Sequence, residues 1–219
     1  MSKVSSVAKQ LSSTIRSSSE GGAKVVKLRR TGFDEVELVE RLRRSEAEAV
    51  EHLIHAYSSL VRQSLFRVLG STHDLDDLEQ DTFVTVLARC HTLRDPFALR
   101  SFVVSVAMRI ARNELRKRAI RRFVGLDVAG DHMREPAYDV VRAERLRHIY
   151  AALNRLSPNI RIAFVLRHVE GYELAEVAGA CGCSLSTVKR WLTAADERLQ
   201  AYVATDPALR SLASEQGAP

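Results

Sequence analysis

The sequence predicts an all-α protein of two small helical domains joined by a flexible linker, with a helix-turn-helix in the C-terminal domain. Apolar residues recur at steps of three and four along most of the chain. They never alternate with period two for long enough to suggest a sheet. The helical pattern fails over residues 123–142, where Gly125, Gly130 and Pro136 interrupt it. These observations predict two helical units with a linker between them.

The first domain, residues 33–122, is predicted to hold three or four helices around one core. An amphipathic stretch spans residues 35–70 and ends at a glycine, and a second helix spans about 74–89. A third helix opens at Asp95 and Pro96, because an N-cap residue followed by proline is a strong start signal. The inward-facing positions include Leu53, Tyr57, Leu75, Leu78, Val86, Leu99, Phe102, Val103, Val106 and Ile110.

The second domain, residues 143–203, ends in the helix-turn-helix. One short helix covers residues 171–178, a turn follows, and a second helix starts near residue 185. Gly182 gives the turn its backbone freedom, and the Ser184 hydroxyl is placed to cap the second helix. The predicted buried stripe of that helix is Leu185, Val188, Leu192, Ala195 and Leu199. Its opposite face carries Ser186, Thr187, Lys189, Arg190 and Thr193, which suits the major groove of DNA.

Three segments lie outside these domains. Residues 1–32 form a serine-rich arm that we expect to be mobile, and residues 204–219 form a tail. The linker, residues 123–142, reaches at most about 66 Å when fully extended, so the two domains have room to sit well apart.

Composition favours a polyanionic partner and a soluble, cytoplasmic protein. The chain has 219 residues, a formal net charge of +6 and 46% apolar residues. Three cysteines fit a reducing compartment, and no apolar run is long enough to insert in a membrane. Neither a Gly-rich phosphate loop nor a nucleophile motif is evident, so we expect no catalytic residues, no metal and no cofactor.

Two neighbouring helices of the first domain carry opposite charge. Acidic residues crowd the start of the second helix: Asp74, Asp76, Asp77, Glu79 and Asp81. By themselves they fit a solvated, dipole-matched helix start. Clustered carboxylates also suggest Mg²⁺ binding or hydrolysis, but no second carboxylate cluster or ligand histidine is evident to complete such a site. The third helix places basic and amide side chains on one face: Arg109, Arg112, Asn113, Arg116 and the adjoining Lys117. Such a face suits phosphates, and the amide adds a group able to bond a base edge.

Two other functions remain open on the residues alone. One is a stand-alone helix-turn-helix regulator, which leaves the pair of oppositely charged helices unexplained. The other is a recombinase or nuclease with a DNA-reading domain, which needs a nucleophile or a carboxylate metal site. Tyr57 is the only tyrosine of residues 35–122, and it lies on an apolar stripe. This argues against a tyrosine recombinase.

Taken together, these residues resemble the extracytoplasmic-function sigma factors of the bacterial sigma-70 family, over about residues 35–203. Residues 77–83, Asp-Leu-Glu-Gln-Asp-Thr-Phe, are similar to that family's Asp-Leu-x-Gln-Glu-Thr-Phe signature. Residues 102–118 resemble the segment that opens and holds the promoter minus-ten element. Residues 156–171 and 187–189 resemble the reader of the minus-thirty-five element.

The resemblance implies a sigma factor that binds core RNA polymerase and directs promoter recognition, melting and initiation in a stress or signal response. The implied contacts are the β′ clamp helices, the β flap, promoter DNA and an anti-sigma protein. The implied residues for core docking are Asp77, Leu78, Gln80 and Asp81. Those for the minus-ten element are Arg109, Arg112, Asn113, Arg116 and Lys117, and those for the minus-thirty-five element are Ser186, Thr187, Lys189, Arg190 and Thr193.

The chain departs from the family pattern at both DNA-directed helices. Arg109 stands where many relatives have the asparagine that captures a base. Trp191, Thr193, Ala194 and Asp196 stand where relatives often carry basic residues, so the recognition helix is less basic. Fewer phosphate contacts predict a weaker and less salt-dependent hold by the second domain.

Overall fold

A computed structural model describes residues 11–15, 34–125, 140–207 and 209–210, and every regular element within these ranges is helical. The first domain holds α1 (Glu35–Arg43), α2 (Ala47–Leu69), α3 (Leu75–Arg89) and α4 (Leu99–Phe123). The second holds α5 (Val140–Leu153), α6 (Pro158–Phe164), α7 (Leu174–Cys181) and α8 (Leu185–Thr205). This confirms the predicted all-α class. Among the described residues, no helix is both long and apolar enough to cross a membrane.

The predicted stretch from residue 35 to Gly70 is two helices rather than one. Asp34 caps α1 by accepting from the Val36 amide at 2.9 Å, and the chain then breaks at Ser45, whose φ is 60°. The break falls where a run of charged and polar residues interrupts the apolar spacing. Gly70 ends α2 in the left-handed conformation, as predicted, with φ 72°.

The long helix α4 starts after a short 3₁₀ turn, Pro96–Ala98. The Asp95 carboxylate accepts from the Phe97 amide at 3.0 Å, as its N-cap position predicts. Helices α2, α3 and α4 pack against one another, and Leu53, Tyr57 and Val103 are fully buried among them.

The helix-turn-helix forms as its turn residues predict. Gly182 ends α7 with φ 65°, and the Ser184 hydroxyl accepts from the Thr187 amide at 3.2 Å. Val188, Ala195 and Leu199 are buried, which confirms most of the predicted stripe. Leu185 is an exception at 42% exposure, because it is the first residue of α8 and no preceding helical turn covers it.

The N-terminal arm differs from its prediction at the few positions described. Residues 11–15 are helical, and Leu11 and Ile15 are buried in the hydrophobic core. These two side chains lie four residues apart, so they share one face of a helix in spite of the intervening serines. Most of the predicted linker, most of the arm and most of the tail lie outside the described residues.

The two domains pack together in this structure rather than sitting apart. Helices α6 and α7 lie against α4, and the π-helical turn Val165–Val169 that follows α6 contacts α2. Gly70 lies so close to the second domain that a Cβ there would be 2.3 Å from the Tyr150 ring. A larger residue at this position would clash, besides being strained at that positive φ.

Candidate nucleic-acid interface

The acidic cluster on α3 divides into two parts. Arg62 of α2 donates to Asp76 and, at 2.9 Å, to Glu79, which also accepts from the Ser58 hydroxyl. Hydrogen bonds to these two carboxylates raise the pKa of Arg62 above its usual value. Asp76 and Glu79 are therefore occupied within the domain.

The remaining polar residues of α3 face solvent. Asp77, Gln80 and Asp81 are exposed, and the structure gives neither aspartate an ion pair among the described residues. The Leu78 side chain is only 7% exposed, so it packs in the core of the domain and is not available to contact a partner. Val84 continues the face by one helical turn and is 59% exposed. Val84 is not among the predicted site residues, although its spacing from Gln80 and Asp81 places it on the same side of the helix.

The basic face of α4 is largely exposed but is not wholly free. Arg109, Asn113, Arg116 and Lys117 all face solvent. Arg112 is half-buried, and its guanidinium donates to the Cys181 carbonyl at 3.2 Å, across the domain boundary. One of the predicted DNA contacts is thus engaged by the second domain in this structure.

The predicted reading face of α8 lies open. Ser186, Lys189, Arg190 and Thr193 are exposed, whereas Thr187 is half-buried. The hydroxyls of Ser186 and Thr187 each lie 2.9 Å from that of Ser184, so both take part in the start of the helix. This leaves Lys189 and Arg190 as the free cations of the predicted set.

A buried arginine joins the two domains. Arg161 of α6 is 2% exposed and donates to the Val68 and Leu69 carbonyls at 2.6 and 3.1 Å. These carbonyls lie at the C-terminal end of α2, which carries partial negative charge and lacks helical donors. Burial lowers the pKa of Arg161 to about 9. Sequence reasoning missed this role, since a lone arginine in a helix ordinarily faces solvent.

A buried ion pair also lies at the interface between the two domains. The Arg67 guanidinium lies 2.8 Å from the Glu170 carboxylate, and both side chains are less than one tenth exposed. Nearby, the Tyr150 hydroxyl donates to the Arg67 carbonyl at 3.3 Å. Because buried charges are costly without partners, this pair makes the interface specific to one arrangement.

The cysteines of the helix-turn-helix do not form a metal site within the part of the chain that the structure describes. No group of three or more His, Cys, Asp or Glu side chains suited to a metal occurs there. Burial raises the pKa of the Cys181 thiol to about 11, which disfavours the thiolate that a metal needs.

Two family models match the chain, one in each domain. Sigma-70 region 2 matches residues 53–120, which cover most of α2 to α4. Sigma-70, region 4 matches residues 146–199, which include the helix-turn-helix. The exposed faces described above all lie within these two matches.

Two relatives cover most of this sequence. The ferric citrate uptake sigma factor FecI of Escherichia coli is 30% identical, over 67% of this chain and 86% of its own. The ECF RNA polymerase sigma factor SigX of Bacillus subtilis is 29% identical, over 65% of this chain and 77% of its own.

Solved structures share the fold. CnrH, solved in complex with the cytosolic domain of CnrY, aligns with a TM-score of 0.57 at 22% identity, over 79% of this chain and 98% of its own. The sigma factor RpoE of Bartonella quintana, solved with the anti-sigma factor NepR, gives 0.53 at 21% identity, over 71% of this chain and 97% of its own. With both domain matches and the identity to FecI, the chain belongs to the extracytoplasmic-function group of the sigma-70 family, the RNA polymerase sigma factors.

Proposed function

We propose that this sigma factor docks on the β′ clamp helices of core polymerase through the exposed face of α3, formed by Asp77, Gln80 and Asp81. The observation that supports this most directly is the division of the acidic cluster. Arg62 occupies Asp76 and Glu79, while Asp77 and Asp81 remain available to a basic partner. Charged residues without partners at a surface favour recognition and fast association.

The adjoining helix α4 is proposed to hold the opened minus-ten element. Arg109, Arg116 and Lys117 supply exposed positive charge for phosphates, and Asn113 lies between the arginines with donors and an acceptor for a base edge. Arg112 joins this set when the second domain moves away, because its bond to the Cys181 carbonyl is then released.

The second domain is proposed to read the minus-thirty-five duplex with α8 and to contact the β flap. Lys189 and Arg190 bind phosphates or guanine edges, and Ser186 and Thr193 add short polar contacts in the major groove. Thr187 mainly fixes the start of the helix.

The same proposal includes control by an anti-sigma protein in a signal response, acting in the cytoplasm. Its support is the shared fold with CnrH and with RpoE, two proteins that were each solved with a bound partner. The protein itself performs no chemistry in this scheme.

The deciding experiment is run-off transcription with purified protein and sigma-free core polymerase on fragments of the source genome. We expect discrete transcripts that depend on the added protein. Absence of initiation on every template, together with tight duplex binding by the free protein, would instead indicate a stand-alone helix-turn-helix regulator.

The docking face is tested by changing Asp77 and Gln80 together to alanine. We expect affinity for core polymerase to fall about tenfold or more, since truncating a residue at the centre of an interface costs about 2 kcal/mol or more where that residue is a hot spot. Asp76→Ala is the matched control: it removes the same charge from the same helix but from a carboxylate held by Arg62. Unchanged core binding by the double variant would refute the assignment.

A further inference from the structure

One large apolar side chain is exposed at the start of α8. Leu185 is the first residue of that helix and is 42% exposed. Among the side chains that the structure describes in residues 143–207 and 209–210, no other large hydrophobic one is exposed to this degree. Isolated leucines are common on protein surfaces, so exposure alone assigns no role to Leu185. Its position on the helix does.

Leu185 borders the proposed reading face of α8. Lys189 follows it by four residues and therefore lies on the same side of the helix, one turn further on. Ser186 is the next residue and is also exposed. The Ser184 hydroxyl accepts from the Thr187 amide at 3.2 Å, which fixes the first turn of the helix and with it the place of Leu185. The leucine side chain is thus held at the N-terminal end of a face that otherwise carries hydroxyl groups and cations.

The major groove offers this side chain one apolar partner. In a helix-turn-helix, residues at the N-terminal end of the second helix contact the base edges. Every base pair presents hydrogen-bonding atoms there, but only thymine adds an apolar group, its C5-methyl. The cations Lys189 and Arg190 bond phosphates or guanine, and the neighbouring hydroxyl groups bond polar atoms of any base. Leu185 is therefore complementary to a thymine methyl group, which the polar residues of this face cannot distinguish.

We propose that Leu185 is a specificity-determining residue that packs on the C5-methyl group of one thymine in the minus-thirty-five element. This inference rests on the proposed function, because it requires α8 to lie in the major groove of that element. The contact removes a methyl group and part of the leucine side chain from water. Replacing that thymine with uracil deletes the methyl group alone, so affinity falls about fourfold, the effect of burying one carbon of this size.

The experiment measures the closed-complex affinity of holoenzyme for a promoter located by the run-off assay. Each thymine of the minus-thirty-five duplex, on either strand, is replaced in turn by uracil, which pairs as thymine does. With the unchanged protein we expect one of these replacements to lower affinity about fourfold. Leu185→Ala lowers affinity for the thymine duplex by a similar factor and shows no further loss with uracil, because two groups in direct contact are not additive.

Leu185→Met is the matched variant, since it keeps an apolar side chain of similar volume, and we expect it to retain the sensitivity to uracil. Ile54→Ala removes another exposed apolar side chain, from α2, and should leave affinity and uracil sensitivity unchanged. The inference is wrong if no thymine is sensitive with the unchanged protein, or if Leu185→Ala keeps the full sensitivity. If replacing the whole minus-thirty-five duplex leaves affinity unchanged, the proposed role of α8 itself fails, which is a different result.

Discussion

The two helices proposed to bind DNA are held in different ways. Helix α8 is anchored inside its own domain by Val188, Ala195 and Leu199 and keeps its reading face open. Helix α4 is packed on by α6 and α7 of the other domain, and Arg112 is engaged there. The proposed duplex-reading face of α8 is therefore available in the packed state, whereas Arg112 on the basic face of α4 becomes available only if the domains separate.

The largest expected effect follows from breaking the buried pair between the domains. Glu170→Ala leaves Arg67 without its carboxylate, and removal of one member of a buried ion pair costs about 3 to 5 kcal/mol. We expect the domains to separate before either unfolds. Trp191, the single tryptophan, reports on α8 alone, so urea unfolding followed by its fluorescence will no longer coincide with unfolding followed by circular dichroism.

The matched control replaces both partners, Arg67→Met with Glu170→Leu. This variant keeps side-chain volume and leaves no uncompensated charge, so we expect its two transitions to coincide as in the unchanged protein. Coincident transitions in Glu170→Ala as well would show that the pair does not hold the domains together.

The next prediction, with a smaller expected effect, compares how strongly the DNA affinity of α4 variants and of α8 variants depends on salt. Arg109→Ala with Arg116→Ala removes two cations from α4, and Lys189→Ala with Arg190→Ala removes two from α8. Each lost phosphate contact lowers the slope of log affinity against log salt by about one. On a single strand each contact contributes about 0.7 to the slope, so we expect the α4 variant to reduce the slope by about 1.4, and only on a template whose minus-ten segment is already unpaired.

We expect the α8 variant to reduce the slope of log affinity against log salt on a duplex fragment of the minus-thirty-five region. The measurement is holoenzyme affinity on both templates at several salt concentrations. Equal losses by both variants on the same template would mean that the two helices do not read separate elements.

Local signals in the sequence predicted much of the fold. Gly70, Gly182 and Ser184 act at the helix ends where their backbone and hydroxyl chemistry places them. The domain packing could not be predicted, because it depends on charges far apart in the chain. Arg67 and Glu170 are separated by 103 positions, and each alone would be expected to face water.

In the candidate site, too, the residues of one helix could be identified from the sequence, but their contacts with other helices could not. The resemblance of residues 77–83 to the family signature singled out Asp77, Gln80 and Asp81 as docking residues. That Asp76 and Glu79 are already occupied depends on Arg62, which comes from another helix. Arg112 likewise cannot be distinguished in the sequence from Arg109 and Arg116 on the same helix, and only its contact with α7 sets it apart.

The smallest predicted effect concerns α8 itself. Asp196 is half-buried, its Oδ1 atom has no hydrogen-bond partner in the described structure, and burial raises its pKa to about 6. An unfolded aspartate releases its proton near pH 4, so between about pH 4 and 6 the folded chain binds more protons than the unfolded chain. Stability of the second domain therefore falls as pH rises through this window. Asp196→Asn should flatten that fall in thermal unfolding monitored by Trp191, because the amide does not titrate; an unchanged pH profile would show that another group causes it.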